Sequence, residues 1–185
     1  MLGFSVTGEI LVRHGSTVTT LPPLGTRLDL GGINDHGQFV LSFFDSLSGS
    51  FRIMSGDASG YSELPGILSG ESAFPAYQAI NNSRQVIFSI SPPGGGSFQG
   101  ASLWDPVSGR QDLSTLAGAD IRFAMAINNL GQIIATRADG EVVLLDPVGV
   151  PEPGYLCAGG PWVGGARLPA PTAMMARSSR HYELR

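Results

Sequence analysis

Lysine is missing from the 185-residue chain, and all eleven of its basic residues are arginines. That absence excludes a P-loop lysine, a Schiff-base lysine and a lysine general base. A single cysteine, Cys157, excludes both an intramolecular disulfide and a multi-cysteine zinc site. Charge of either sign is scarce, at 14% of residues, which is too little for long solvated helices. What charge there is leans acidic where it matters, with 7 Arg against 13 Asp and Glu before residue 150 and 4 against 2 after it. An acidic body is a poor fit to a phosphate backbone, so nucleic acid is not expected as a partner. The opening MLGFSVTGEILVRHG has neither the basic flank nor the apolar run of a signal peptide.

Glycine (26 residues) and proline (13) are plentiful, the signature of short strands joined by tight turns. One pattern organises them. Ile33-Asn34-Asp35, Ile80-Asn81-Asn82 and Ile127-Asn128-Asn129 recur 47 residues apart, each followed by Gln38, Gln85 or Gln132. Asn34, Asn81 and Asn128 suit Asx turns, and Gly37 and Gly131 can adopt the positive φ that reverses the chain. The middle copy has Arg84 at the glycine position, so a different or strained turn is expected there.

A second landmark, a glycine followed by an apolar strand, stands at Gly8, Gly49, Gly100 and Gly140. Polar turns follow these strands and close on Leu21, Leu64 or Leu113; Asp105-Pro106-Val107-Ser108-Gly109 is a hairpin turn by composition. Each unit then reads as four short strands in about 47 residues, the length of a propeller blade. The expected fold is an all-β repeat protein, an incomplete β-propeller-like array of three full units plus a partial fourth over residues 1–148. Aligning Gly8 with Gly140 puts Met1 level with Ile133, so the chain is expected to begin and end in mid-repeat. Trp104 and Phe51 read as matching core aromatics.

The pattern Leu-Trp-Asp-Pro-x-x-Gly, Asp-Leu-x-x-Leu-x-Gly and Ala-Ile-Asn-x-x-Gly-Gln-Ile, carried best by Leu103 to Gly118 and Ala126 to Ile134, resembles the HAF repeat of bacterial extracellular proteins. That resemblance implies an exported, β-rich protein without established catalytic residues. Val150-Pro151-Glu152-Pro153, directly after the last repeat, is similar to the start of the PEP-CTERM sorting signal of Gram-negative bacteria. It implies processing by an exosortase and delivery to the cell envelope or exterior. The rest of the 149–185 tail departs from that family, because Pro161, Arg167, Pro169 and Pro171 stand where about 20 apolar residues are needed to cross a bilayer. The tail is therefore expected to be disordered and not to insert, and a frameshift just after codon 153 or 154 would account for its composition. An ordinary linker before a disordered tail is the plainer alternative.

Catalytic chemistry finds little footing. His36 beside Asp35 suggests a Ser-His-Asp triad, but no Gly-x-Ser-x-Gly elbow exists and the other copies carry Ser83 and Leu130 at its position. The Asn/Asp pairs offer oxygen ligands for calcium, yet turn formation explains them without a metal. No cofactor, metal or catalytic residue is expected. The functional expectation is an exported, non-enzymatic envelope or matrix protein with a scaffold or adhesion surface, capable of self-association through open sheet edges. The alternative is an extracellular glycan-binding or glycan-cleaving propeller fragment with a polysaccharide partner, and a third class is a cytoplasmic interaction module.

Overall fold

A computed structural model describes residues 1–5, 9–24, 27–92 and 96–147, together with the backbone of Met174–Ser178. Gly8, Cys157 and the sorting-like motif Val150 to Pro153 lie outside the described residues. The body is built from β-strands. A partial blade comprises β1 (Leu2–Phe4), β2 (Ile10–His14) and β3 (Thr17–Leu21). The first blade is β4 (Leu28–Ile33), β5 (Phe39–Asp45), β6 (Ser50–Asp57) and β7 (Gly60–Glu63). The second is β8 (Ser72–Ile80), β9 (Val86–Ser91), β10 (Gly100–Asp105) and β11 (Gly109–Asp112). A short helix α1 (Leu113–Ala117), capped by the Asp112 carboxylate and ended by Gly118 at φ 62°, leads into the third. That blade is β12 (Ile121–Ile127), β13 (Ile133–Arg137), β14 (Val142–Pro147) and β15 (Met174–Ser178).

Neighbouring strands within each blade are antiparallel. The chain is thus the all-β, propeller-like repeat array that its 47-residue period implies. Each blade joins the last two strands of one sequence unit to the first two of the next, so the sheets are cut half a unit out of phase with the landmarks. β1 is the edge strand of its three-stranded sheet and corresponds to the second strand of a full blade, the place held by β5, β9 and β13, in keeping with the alignment of Met1 to Ile133. Of the tail, only Met174–Ser178 is described; it forms β15 and pairs antiparallel with β14.

The innermost strands β4, β8 and β12 lie side by side. β8 and β12 touch through one parallel bridge, Ala126 to Gln78, which joins the second and third blades into a single eight-stranded sheet. β4 approaches β8 without a ladder, and Gly31 makes the approach possible: a Cβ there would stand 2.5 Å from Pro75 Cβ and 2.9 Å from Val40 Cγ1.

Blades pack face to face, so a middle blade is buried on both faces. Strand alternation then sends Phe39, Leu41 and Met54 toward the partial blade, into a cluster with Ile10, Val12 and Leu21. Val40 and Ile53 point the other way, into the large cluster formed with the second and third blades. β9 is buried at every one of its six residues for this reason. Leu21, Leu64 and Leu113, which close the hairpins in sequence, are core residues at 6%, 1% and 0% exposure.

The match read between Phe51 and Trp104 fails. Phe51 pairs with Phe44 beside the β5–β6 turn, whereas Trp104 pairs with Val86 at the opposite end of its strand. By strand pairing the counterpart of Trp104 is Gly56, which faces Phe39 as Trp104 faces Val86 one 47-residue repeat later.

Candidate functional site

Two places collect side chains beyond what a single repeat needs: the hub of Asn turns, and a row of phenylalanines at the other end of the blades.

At the hub each turn is closed in the same way. Asn34 N–H donates to the Gln38 carbonyl (2.8 Å) and Gly37 N–H to the Asn34 carbonyl (3.1 Å). The Asn34 Oδ1 accepts from the His36 and Gln38 backbone N–H groups, and its Nδ2 donates to Gln38 Oε1. Asn81 and Asn128 repeat the set with Ser83 and Gln85, and with Leu130 and Gln132. Gly37, Arg84 and Gly131 all sit in the left-handed region, at φ 77°, 64° and 79°. The middle turn is therefore not different; it is the same turn with a residue that is strained there.

The turns are also bonded to one another across 47 residues. Asn34 Nδ2 donates to the Asn81 carbonyl at 2.9 Å, and Asn81 Nδ2 to the Asn128 carbonyl at 3.2 Å. The second residue of each turn forms a parallel row: Asp35 N–H donates to Asn82 Oδ1 and Asn82 N–H to Asn129 Oδ1. The Asp35 carboxylate then accepts from Asn82 Nδ2 at 2.7 Å and, across the hub, from Asn129 Nδ2 at 3.4 Å. Three turns thus converge on one carboxylate. Burial peaks in the middle, where Asn81 is 2% exposed, while Asn34 is half-buried and Asn128 is exposed. A cleft of about 270 Å³ opens beside them, with Gly32, Asp35, Tyr77, Asn82 and Asn129 in its walls.

The hub brings together all eight turn residues singled out in the sequence: Asn34, Asp35, Gly37, Asn81, Asn82, Asn128, Asn129 and Gly131. Its chemistry is that of a lock. The Asn oxygens that calcium would need are occupied by backbone N–H groups, and no group of three or more His, Cys, Asp or Glu among the described residues could hold a metal ion. His36 is exposed, and its backbone N–H serves the turn. Glutamines extend the lock outward: Gln85 Nε2 donates to Asp105, and Gln132 Nε2 to Asp146. Burial would raise the Asp105 carboxyl, but N–H groups of Ser108 and Val107 and the Gln85 amide outweigh it and hold its pKa below the usual carboxylate value.

The inter-repeat row had a signal in sequence. An Asx turn needs only its first Asn, yet every copy carries a second Asn or Asp, and that surplus side chain reaches the next turn.

The phenylalanine row was less legible, since only Phe51 and Phe98 stand one 47-residue period apart. Phe44, Phe51, Phe74, Phe98 and Phe123 form an unbroken series with ring centroids 5.3, 4.7, 5.5 and 5.1 Å apart, mostly edge to face. They come from the ends of strands in three blades and from the β9–β10 connection. Arg27 lies over the Phe44 ring at 5.7 Å. A groove of about 430 Å³ runs along Phe44, Phe51, Phe74 and Phe98, with Ser72 and Ser91 in its floor. Both hydroxyls are engaged, Ser72 accepting the Phe51 N–H and Ser91 donating to the Gly96 carbonyl.

A smaller polar cluster fastens the connection between the first two blades. Arg110 on β11 donates to Glu71, to the Gly66 carbonyl and to Ser102 Oγ, with its guanidinium 5.9 Å above the Phe88 ring. Burial alone would raise the Glu71 carboxyl; the hydrogen bonds from Arg110 and the Leu68 N–H prevail and hold it below the usual carboxylate value. Comparison with protein-family models, curated proteins and solved structures finds no match to this chain.

Proposed function

We propose that this chain is a non-enzymatic repeat protein of the bacterial cell envelope or extracellular matrix, its blades serving as scaffold or adhesion surface. In this reading Val150-Pro151-Glu152-Pro153 is a sorting motif for exosortase-type machinery. The observation that carries the non-enzymatic part is the hub: its Asn side chains, the most regular polar feature of the sequence, are engaged in bonding one repeat to the next. Export rests on the resemblance to HAF repeats and to the PEP motif. Expression from the native locus in a Gram-negative host that carries an exosortase, followed by fractionation, tests it. Recovery in the envelope or medium, lost when Pro151, Glu152 and Pro153 are replaced by alanine, is the expected result; a product confined to the cytosol refutes it.

A second reading, glycan binding, is favoured by the phenylalanine row, since a row of aromatic rings beside an open groove suits the apolar patches of a saccharide chain. Binding on a polysaccharide array that is lost in Phe51→Ala and Phe74→Ala would support it. An array on which the chain binds nothing leaves the scaffold reading alone.

A further inference from the structure

The large exposed apolar residues are not scattered evenly. Phe123, Met125, Leu130, Ile134 and Val142 all belong to the third blade, at 37%, 42%, 51%, 42% and 48% exposure. Four of these, together with Leu144, lie on one face. Ile134 pairs with Leu144, Thr136 with Val142, and Phe123 with Thr136, whose hydroxyl reaches Met125 Sδ. The opposite face, formed by Ile133, Ala135, Val143 and Leu145, packs into the core.

The same positions in the other blades show what this face is for. In the second blade Ile87, Ser89, Ala101 and Leu103 stand at the places of Ile134, Thr136, Val142 and Leu144, and they are 0%, 1%, 0% and 4% exposed. In the first blade Val40, Ser42 and Ile53 hold three of those places at 0%. Both faces are covered by the following blade; Ser89 Oγ even accepts the Ala124 N–H from β12 at 3.2 Å. The third blade therefore carries a repeat-to-repeat interface that no described residue covers.

We infer that this face is where a second copy of the chain docks, blade three against blade three about a two-fold axis. Continuity with the interface used twice inside the chain identifies it as an association surface. Its composition identifies the partner. The far face of the array, on the partial blade, presents Leu11, Arg13, Val18 and Thr20, a mixed set with an exposed cation, so head-to-tail stacking would bury Arg13 unpaired against Phe123 and Ile134. Self-pairing instead sets the apolar rows of β12, β13 and β14 on one another, the packing that sandwiches use, with Arg177 on the edge strand β15, whereas Arg13 stands on the middle strand of its sheet. It closes at two copies, with the partial blades at the outer ends. This contact is a sheet face, distinct from pairing along strand edges.

Sedimentation velocity of the full chain tests the inference. The expected result is a monomer–dimer equilibrium that shifts toward dimer as concentration rises to about 100 µM, the range of weak association. Ile134→Arg and Val142→Glu should each weaken it by more than tenfold, and because both side chains are exposed the monomers keep the parent melting temperature. Val18→Arg, on the far face, should leave association unchanged. A chain that stays monomeric at several times that concentration, as it would if its own 149–173 segment or a further repeat covered the face, overturns the inference. So does a dimer that responds to Val18→Arg and not to Ile134→Arg.

Discussion

Replacing Asn81 by alanine isolates what the bond between repeats is worth. The side chain makes four hydrogen bonds: Oδ1 accepts the Ser83 and Gln85 N–H groups at 3.0 Å each, and Nδ2 donates to Gln85 Oε1 at 2.7 Å and to the Asn128 carbonyl at 3.2 Å. At 2% exposure water cannot replace them. With each bond worth about 0.5–1.5 kcal/mol net, Asn81→Ala should cost about 2–4 kcal/mol. Asn128 makes the same three bonds within its own turn but none from its side chain to another repeat, and it is exposed. Water substitutes there, and Asn128→Ala should cost about 1 kcal/mol. Urea denaturation at neutral pH followed by tryptophan fluorescence measures both, and the melting temperatures should fall by about 5–15 °C and 2–4 °C. Equal losses in the two variants would refute the claim that the inter-repeat bond and burial set the cost. Asn81→Asp adds a second handle, because it retains the acceptor and turns an anionic oxygen toward Gln85 Oε1 and the Asn128 carbonyl. The introduced carboxyl's pKa rises in the folded state, so this variant should recover stability as pH falls toward 5, where the protonated oxygen can donate.

Three further substitutions or conditions follow from single contacts. Arg84→Gly should stabilise the chain by about 0.5–1 kcal/mol, as relief of the left-handed backbone exceeds the entropy that glycine adds to the unfolded state; a loss in urea midpoint would contradict it. The Ser42 hydroxyl is buried without a partner among the described residues, whereas Ser89 in the equivalent place accepts the Ala124 N–H, so Ser42→Ala should be neutral to stabilising and Ser89→Ala should cost about 1–2 kcal/mol in the same denaturation series. The folded-state pKa values of Glu71 and Asp105 lie below their unfolded ones, so their contribution is present above about pH 4–5 and is lost as pH falls through the folded values. Melting temperature should be flat from neutral pH to about 5 and fall below that, with a shallower fall in Glu71→Gln.

The parts of this architecture legible in sequence are those that local chemistry dictates. Ile-Asn-x-x-Gly/Arg-Gln announces its turn because Asn bonds its own neighbours, and the 47-residue period then counts the blades. Blade faces were not legible, because a middle blade has no solvent side: Val86 to Ser91 is buried throughout and shows no alternation to read. The row of five phenylalanines was hidden for a different reason. Only Phe51 and Phe98 stand one 47-residue period apart; Phe44, Phe74 and Phe123 come from other strands, so no single periodicity links all five. Asn82 and Asn129 lie between these cases, since their recurrence was visible while the partner, one repeat away, was not.

The bonds made by the first Asn of a turn to another repeat run in one direction, from the Asn34 and Asn81 amides to the carbonyl of the turn that comes later in the chain. A lock of this kind has the logic of a zipper tooth: every unit offers the same donor forward and the same acceptor backward. Excising the segment from Asn34 to Ile80 would join Ile33 to Asn81 and leave the remaining turns meeting on the same terms. Recombination between copies could therefore lengthen or shorten such an array by whole units without inventing a new contact, and the gene's repeat number can drift while the fold holds.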